Sequence, residues 1–366
     1  MHLTTAARQM AAQWRKTFAC DKTINWFPGH MAKGIKQMRD RLRAVDLIVE
    51  MRDARIPLSS INRQLEKLAG NKRRLVVYNK ADLAPAHVQS TVERELAMRM
   101  GKSQDVLFAS ATATAADAHN VERILAAARA VAERGAERQC SMMVVGMPNV
   151  GKSSLVNALR RVGSARGKAA ATGARPGVTR ALGNRVRVLE SPPVYVFDTP
   201  GVMAPHIADP ETAVKVALTG GISDDATDTA VLADYLLFRL NRLPDVDYCS
   251  VLRIERATDD LSELVAMLGA RIGALRKGGE VDSEKTIAFF LRAYRDGKLG
   301  NHCLDDLDSA ALDAFFAALI APAPLSRNQE KMAKRAEQRR RSLEKNKARR
   351  AEQDRHALEK SISKRS

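Results

Sequence analysis

From residue 46 to residue 197 the chain repeats one pattern: a short run of apolar, often β-branched residues, then a longer stretch with apolar positions three and four apart. Such alternation is the signature of βαβ units wound on a parallel sheet. The short runs predict strands at Asp46–Met51, Leu75–Tyr78, Val106–Ala109, Met142–Val145, Arg185–Leu189 and Val194–Phe197. The longer stretches predict helices at Lys33–Arg43, Ser60–Ala69, Ala86–Met100, Asn120–Arg134 and Lys152–Arg160. Only Glu190-Ser191-Pro192-Pro193 separates the last two strands, too little for a crossover. They are expected to form a hairpin, with the fifth strand antiparallel at an edge. The expected fold class of this part is α/β, with a six-stranded, mostly parallel sheet.

Past Gly201 the strand signal fades. Amphipathic helical stretches follow at Thr212–Leu218, Thr229–Leu240, Leu261–Leu275, Glu284–Tyr294 and Ala310–Leu319, and they are expected to form a separate all-α region. Ala321-Pro322-Ala323-Pro324 closes it. No fixed-period repeat is visible. The division expected is a leader over 1–20, the α/β domain over 21–205, the helical domain over 206–325 and a tail over 326–366.

Composition supports a folded chain with a polyanionic partner. At 366 residues and 45% hydrophobic content it can bury a full core, and no apolar run approaches the length of a membrane span. Cys20, Cys140, Cys249 and Cys303 are far apart and form no CxxC pair, so neither a zinc ribbon nor a disulfide framework is expected. The net charge is +18, which points to RNA as the simplest partner. Half of that excess lies in residues 326–366, which carry fifteen Lys and Arg against six Asp and Glu. That segment has too few apolar residues to pack; it reads as a solvated helix or disordered tail, or as an arm lying along RNA phosphates, and the basic chain behind it favours the arm. A nuclear localisation signal has a similar composition. At the other end, Met1 to Cys20 contains Arg8, Arg15 and Lys16 and no acidic residue, with Leu3, Met10, Trp14 and Phe18 available for an apolar helical stripe. This is the composition of a mitochondrial presequence, with an ordinary frayed terminus as the plain alternative.

The chemistry centres on Gly146-Met147-Pro148-Asn149-Val150-Gly151-Lys152-Ser153, which fits G-x-x-x-x-G-K-[ST]. Backbone NH groups of such a loop cradle phosphates, Lys152 reaches the β and γ oxygens, and Ser153 ligates Mg2+. Base choice falls to Asn79-Lys80-Ala81-Asp82. The carboxylate of Asp82 accepts two protons from the guanine edge, whereas adenine would present a bare ring nitrogen, so GTP and GDP are favoured. Ser110-Ala111-Thr112 supplies a backbone contact to the guanine oxygen. Asp198-Thr199-Pro200-Gly201 follows the sixth strand, placing Asp198 on magnesium through water and the Gly201 NH near the γ-phosphate. Thr179, within Arg175-Pro176-Gly177-Val178-Thr179-Arg180, lies where a switch threonine closes on magnesium. The phosphate-binding set is then Asn149, Val150, Gly151, Lys152, Ser153, Ser154 and Gly201. Catalysis draws on Lys152 and Thr179, but the water-orienting glutamine of many GTPases is replaced here by Val202, with Met203 next. Asn149 could bind a monovalent cation that neutralises charge between the β and γ phosphates.

The guanine tetrad precedes the phosphate loop, the reverse of the ordinary order. With Trp26-Phe27-Pro28-Gly29-His30-Met31-Ala32-Lys33 and Asp53-Ala54-Arg55-Ile56-Pro57, that order resembles the circularly permuted ribosome-assembly GTPases, and among them the mitochondrial ribosome-associated GTPase 1 group and its bacterial counterparts. The likeness covers about Ile24 to Leu319. It implies a circularly permuted P-loop GTPase domain followed by an all-α helical domain and a basic tail. It implies binding to the large ribosomal subunit, its rRNA and ribosomal proteins, with release after hydrolysis and stimulation by K+ through Asn149, and it gives His30 the role of the missing glutamine. His30 could equally contact RNA or hydrogen-bond the fold. Thr112 departs from the family, which more often has lysine there, and this bears on stacking over the guanine. The implied location is the mitochondrial matrix or, as a peripheral protein, the matrix face of the inner membrane.

Other readings remain open. A nucleolar or bacterial-type large-subunit assembly GTPase has the same permuted order, and an RNA-binding assembly factor with little turnover would suit Val202. A membrane signalling switch is disfavoured because no lipidation motif is present. Permutation also has a mechanical consequence. The segment after Gly201 runs directly into the helical region, so GTP is expected to fix that region and the tail in an RNA-binding pose and hydrolysis to release it.

Overall fold

A computed structural model describes residues 14–19, 38–62, 65, 68–70, 72–99, 104–110, 115–135, 138–163, 185–199, 207, 209–243 and 246–320, with scattered positions between 332 and 344. The first part contains β1 (Leu47–Asp53), β2 (Arg73–Asn79), α1 (Ala86–Arg99), β3 (Gln104–Phe108), α2 (Ala115–Arg134), β4 (Cys140–Gly146), α3 (Lys152–Gly163), β5 (Val186–Leu189) and β6 (Val194–Asp198). Six helices follow: α4 (Pro210–Leu218), α5 (Thr229–Arg242), α6 (Tyr248–Leu252), α7 (Leu261–Ile272), α8 (Ser283–Arg295) and α9 (Ser309–Ile320). The chain divides into two compact units, Met1–Leu319 and Ile320–Ser366. In the second, the described positions are helical and exposed.

The sheet has the order β3-β2-β1-β4-β6-β5, parallel throughout except for the β5–β6 pair at one edge. Both central strands are buried along their whole length, as expected of strands covered on two faces. Leu47, Val49 and Met51 turn to one face, where Val121, Ile124, Leu125, Ala128 and Ala132 of α2 and Leu155, Val156 and Leu159 of α3 close over them. The α2 positions recur at helical spacing, which is why one stripe of that helix is apolar. On the other face Ile48, Met143, Val145 and Phe197 meet Met38, Leu42, Leu65 and Ala69. Farther along that face, Val76 and Tyr78 pack with Val88 and Val92 of α1 and with Leu312 and Phe316 of α9.

The same face buries charge. Glu50 accepts from Arg52 at 2.7 Å and from Arg74 at 3.1 Å, and Arg52 also donates to the Tyr78 hydroxyl at 3.1 Å. Each charge is matched by a neighbour on its own or the adjoining strand, which is the condition for burying it.

The helical region starts its helices on aspartates. Asp209, Asp228, Asp247, Asp260 and Asp282 each accept a backbone NH from the first turn of α4, α5, α6, α7 and α8 in turn, satisfying donors that the helix leaves orphaned. Its core runs from Val214 and Val216 through Leu232, Leu236 and Leu237 to Phe290, Leu291 and Tyr294. Two residues of the α/β part, Ile56 and Met147, are buried in that same core.

The helical expectations need several adjustments, beginning with the helix expected over Ser60–Ala69, whose first three positions, Ser60, Ile61 and Asn62, are not helical. The helix expected over Leu261–Leu275 ends at Ile272, because Gly273 takes φ 66° and turns the chain, leaving Leu275 to bridge Val281. α2 begins at Ala115, earlier than the expected Asn120. α6 was not expected, since five residues are too few to show a period. Residues 14–19 are not helical; Phe18 instead packs against the helical core, so Trp14 and Phe18 do not continue an apolar helical stripe. Among the described residues no helix is long and apolar enough to cross a membrane.

Candidate active site

Parallel strands place their C-terminal ends at one edge of the sheet, and ligands of open α/β folds bind there. β1 ends at Asp53, β2 at Asn79, β4 at Gly146 and β6 at Asp198, so four strands deliver the expected chemistry to a single edge. From β4, which leads into the phosphate loop, β6 and β5 lie to one side and follow it in the chain. β1, β2 and β3 lie to the other side and precede it. The sheet is therefore that of a phosphate-loop nucleotide-binding domain in which β1, β2 and β3 have been moved ahead of the loop in the chain.

Asn79 is 1% exposed, and its Nδ2 donates to the Val150 carbonyl at 2.7 Å. One side chain thus ties the guanine tetrad to the phosphate loop, although 71 positions separate them. Asn79 Oδ1 is buried and has no hydrogen-bond partner among the described residues. Leaving such an atom unsatisfied is costly, so the position fits a bound ligand. Lys80 takes the left-handed conformation, φ 60°, and opens the short 3-10 turn Ala81–Leu83 that carries Asp82. Asp82 is exposed at the rim, where the Ser110 hydroxyl donates to it at 2.6 Å. The Ala81 NH donates to the Ala109 carbonyl at 3.0 Å, so the loop after β3 is fastened to the tetrad. Ala111 and Thr112 lie outside the described residues.

The phosphate loop is held from below. Gly146 has φ 145°, and a Cβ there would sit 2.3 Å from the Met51 carbonyl oxygen; only glycine lets the loop lie so close to β1. Positive φ at Asn149, 56°, and at Gly151, 98°, turns successive NH groups inward, the geometry of an anion-binding nest. The Lys152 ammonium donates to the Met147 carbonyl at 2.6 Å. Val150 is buried, and Ser153 and Ser154 occupy the first turn of α3. At β6 the Thr199 hydroxyl donates to the Val144 carbonyl at 2.6 Å, and Asp198 pairs with Val144 in the register. Ser153 and Asp198 therefore come from adjoining elements at the sheet edge, a donor set of hydroxyl and carboxylate that suits a hard divalent cation. Such an ion would neutralise phosphate charge.

Beneath the tetrad lies a charge cluster that sequence reasoning noticed only as a likeness. Asp53 is 1% exposed and accepts from the Arg55 NH, Nε and Nη2 at 3.0, 3.0 and 2.8 Å, and from the Lys80 ammonium at 3.2 Å. Burial would raise its pKa, but the guanidinium of Arg55 and the ammonium of Lys80 outweigh that and hold the carboxyl well below its usual range. Lys80 is pulled down from its ordinary value by desolvation, partly restored by Asp53. Arg55 reaches on to the Thr219 carbonyl at 3.3 Å and lies 5.6 Å from the centroid of the Tyr294 ring.

Those last contacts belong to the helical region, which grips the site at three more points. Asn149 Nδ2 donates to the Gly220 carbonyl at 2.9 Å. Met147 is buried in the helical core. Beyond α8, the His302 NH donates to the Leu83 carbonyl at 3.2 Å, and Gly297 passes so close to Leu83 that a Cβ would approach its Cδ2 to 2.5 Å. None of these partners carries a local sequence signal. His30, Thr179, Gly201 and Val202 lie outside the described residues, as does the side chain of Asp198. Among the described residues no group of three His, Cys, Asp or Glu side chains could hold a metal ion by itself.

The chain is similar to known proteins in sequence and in fold. The sequence family described as "50S ribosome-binding GTPase" matches residues 141–264, the stretch from the phosphate-loop strand into the helical region. The Mitochondrial GTPase 1 of Schizosaccharomyces japonicus is 38% identical over 300 residues, covering 77% of this chain and 90% of that protein. The Mitochondrial ribosome-associated GTPase 1 of Bos taurus is 37% identical over 313 residues, covering 80% and 92%. The crystal structure of GNP-bound YlqF from T. maritima superposes with a TM-score of 0.53 at 22% identity, over 75% of this chain and 99% of that one. That likeness is one of fold.

Proposed function

This chain belongs to the mitochondrial ribosome-associated GTPase 1 family, circularly permuted GTPases, and from that premise we propose that it is an assembly factor for the large subunit of the mitochondrial ribosome. The observation that carries the reading is the Asn79 bridge: it unites a guanine tetrad and a phosphate loop, read in inverted order, into one site. The net charge of +18 supplies the attraction to rRNA, and the names of the relatives supply the ribosome and the mitochondrion.

In this reading Asn79, Lys80, Asp82, Ser110, Ala111 and Thr112 hold the guanine. Asn149, Val150, Gly151, Lys152, Ser153, Ser154 and Gly201 hold the phosphates. Ser153, Thr179 and, through water, Asp198 hold Mg2+, with K+ at Asn149. Lys152 and Thr179 stabilise charge on the transferred phosphoryl group, and His30 orients the attacking water. Ligand-driven movement reaches the helical region through Asn149 and Gly220 on the phosphate side and through Leu83 and His302 on the guanine side. GTP thereby fixes residues 206–325 and the basic tail on rRNA, and hydrolysis releases them, in the matrix or at the matrix face of the inner membrane.

Co-sedimentation with mitochondrial large subunits tests this. Binding is expected with a non-hydrolysable GTP analogue and weaker binding with GDP, falling as salt rises. Equal binding in both nucleotide states would remove the release step, and no binding in either would remove the ribosomal reading.

A further inference from the structure

The segment expected to be a discarded leader is built into the fold at its C-terminal end. Arg15 donates from Nη1 and Nη2 to the Asp234 carboxylate at 3.0 and 2.8 Å, the fork-on-carboxylate pairing that fixes orientation as well as charge. Its Nε lies 3.1 Å from Asp259, and its backbone NH donates to that same carboxylate at 2.7 Å. Three residues on, the Phe18 ring meets Tyr235 edge to face at 5.1 Å and Phe238 at 5.7 Å. Arg242 donates to the Lys16 carbonyl at 2.5 Å and lies 5.3 Å from the Phe238 ring centroid.

The receiving surface has the spacing of a single helix face. Asp234, Phe238 and Arg242 recur every four residues on α5, with Tyr235 beside them, and Asp259 comes from the turn before α7. The groove continues as a cavity of about 530 Å³ lined by Arg15 together with Asp228, Asp234, Asp259 and Asp260. Like charges gathered this closely repel one another, so a guanidinium among them is stabilising. Partners more than 200 positions away are not what a segment destined for removal requires.

We infer that residues 14–19 are a lasting part of the folded protein, an Arg-x-x-Phe strap seated in an acidic and aromatic groove of the helical region, and that any leader removed on import ends before Trp14. The second half rests on the mitochondrial reading above; the first does not. The groove is thus a binding site for a basic-aromatic peptide, normally occupied by the chain's own N-terminal segment.

The test has a part for each half. In the full chain, Arg15→Ala and Asp234→Ala should each lower Tm by about 1–2 °C, and the double variant should melt no lower than the worse single one. A labelled peptide of residues 10–22 should bind the Arg15→Ala/Phe18→Ala chain, and the same peptide carrying Arg15→Ala should bind at least tenfold more weakly. Unchanged melting with no peptide binding would overturn the strap. After import into mitochondria the mature N-terminus should lie at or before Trp14, and a terminus between Arg15 and Cys20 would overturn the boundary. Failure to import would count against the mitochondrial reading, while melting and peptide binding still decide the strap.

Discussion

Asp53→Asn isolates the charge cluster under the guanine tetrad with almost no change in shape. In the native protein the carboxylate accepts three hydrogen bonds from Arg55 and one contact from Lys80, all within 3.2 Å and at 1% exposure. Asparagine keeps one acceptor oxygen but turns an NH2 toward the cations, leaving Arg55 buried without a counter-charge. Breaking one side of a buried pair costs about 3–5 kcal/mol. The retained oxygen places this variant at about 3 kcal/mol, or about 4 °C in Tm for a chain of this length. The effect has a definite pH sign. The Asp53 pKa is depressed in the folded chain, so the stability it contributes is complete above the unfolded value of about 3.9 and is lost as pH falls through the folded one. The gap between wild type and variant should therefore be constant from about pH 5 to 8 and narrow in acid. Calorimetric scans across that range measure it, and GTP affinity should fall too because Lys80 loses its anchor. A variant melting within 1 °C of wild type at pH 7 would refute the reasoning (roughly 0.8 kcal/mol on the same scale).

Gly146→Ala forces a Cβ to within 2.3 Å of the Met51 carbonyl; we expect a loss of about 2–4 kcal/mol and no measurable nucleotide binding by titration calorimetry. Gly297→Ala pushes on Leu83 from the helical side, so GDP affinity should drop about three- to tenfold although the changed residue lies outside the nucleotide motifs. His302 is buried with a ring nitrogen 2.6 Å from the Leu299 carbonyl, and desolvation lowers its pKa. Its contribution to stability is complete above the unfolded value of about 6.5 and is lost as pH falls through the folded one, so the urea midpoint should decline on going from pH 7 to 5, and His302→Gln should flatten that decline.

The strands were legible because a parallel sheet covered on both faces turns each strand into an apolar run. β1 shows the limit: the run was expected to stop at Met51, but the strand continues through Arg52 and Asp53, polar residues kept inside by partners on β2 and in the following turn. Nucleotide motifs were legible because their residues are local to one loop or turn. What joins them was not. Asn79 meets Val150, Asn149 meets Gly220, and Arg55 meets Thr219 across separations of 71 to 164 positions, and no periodicity encodes such a meeting. The contacts of Arg15 and Phe18 were not legible for a related reason: their partners on α5 and before α7 lie more than 200 positions away, and a basic-apolar composition does not by itself show what such a segment packs against.

GTP turnover by this chain with and without mitochondrial large subunits, in potassium and in sodium, tests most directly whether it is a ribosome-activated GTPase. Turnover should be slow alone, rise strongly with subunits in potassium, and lose that rise in His30→Ala while GTP binding is retained. Turnover that is negligible in every condition, with GTP still bound, would contradict the enzymatic release cycle and leave an assembly factor whose nucleotide is structural.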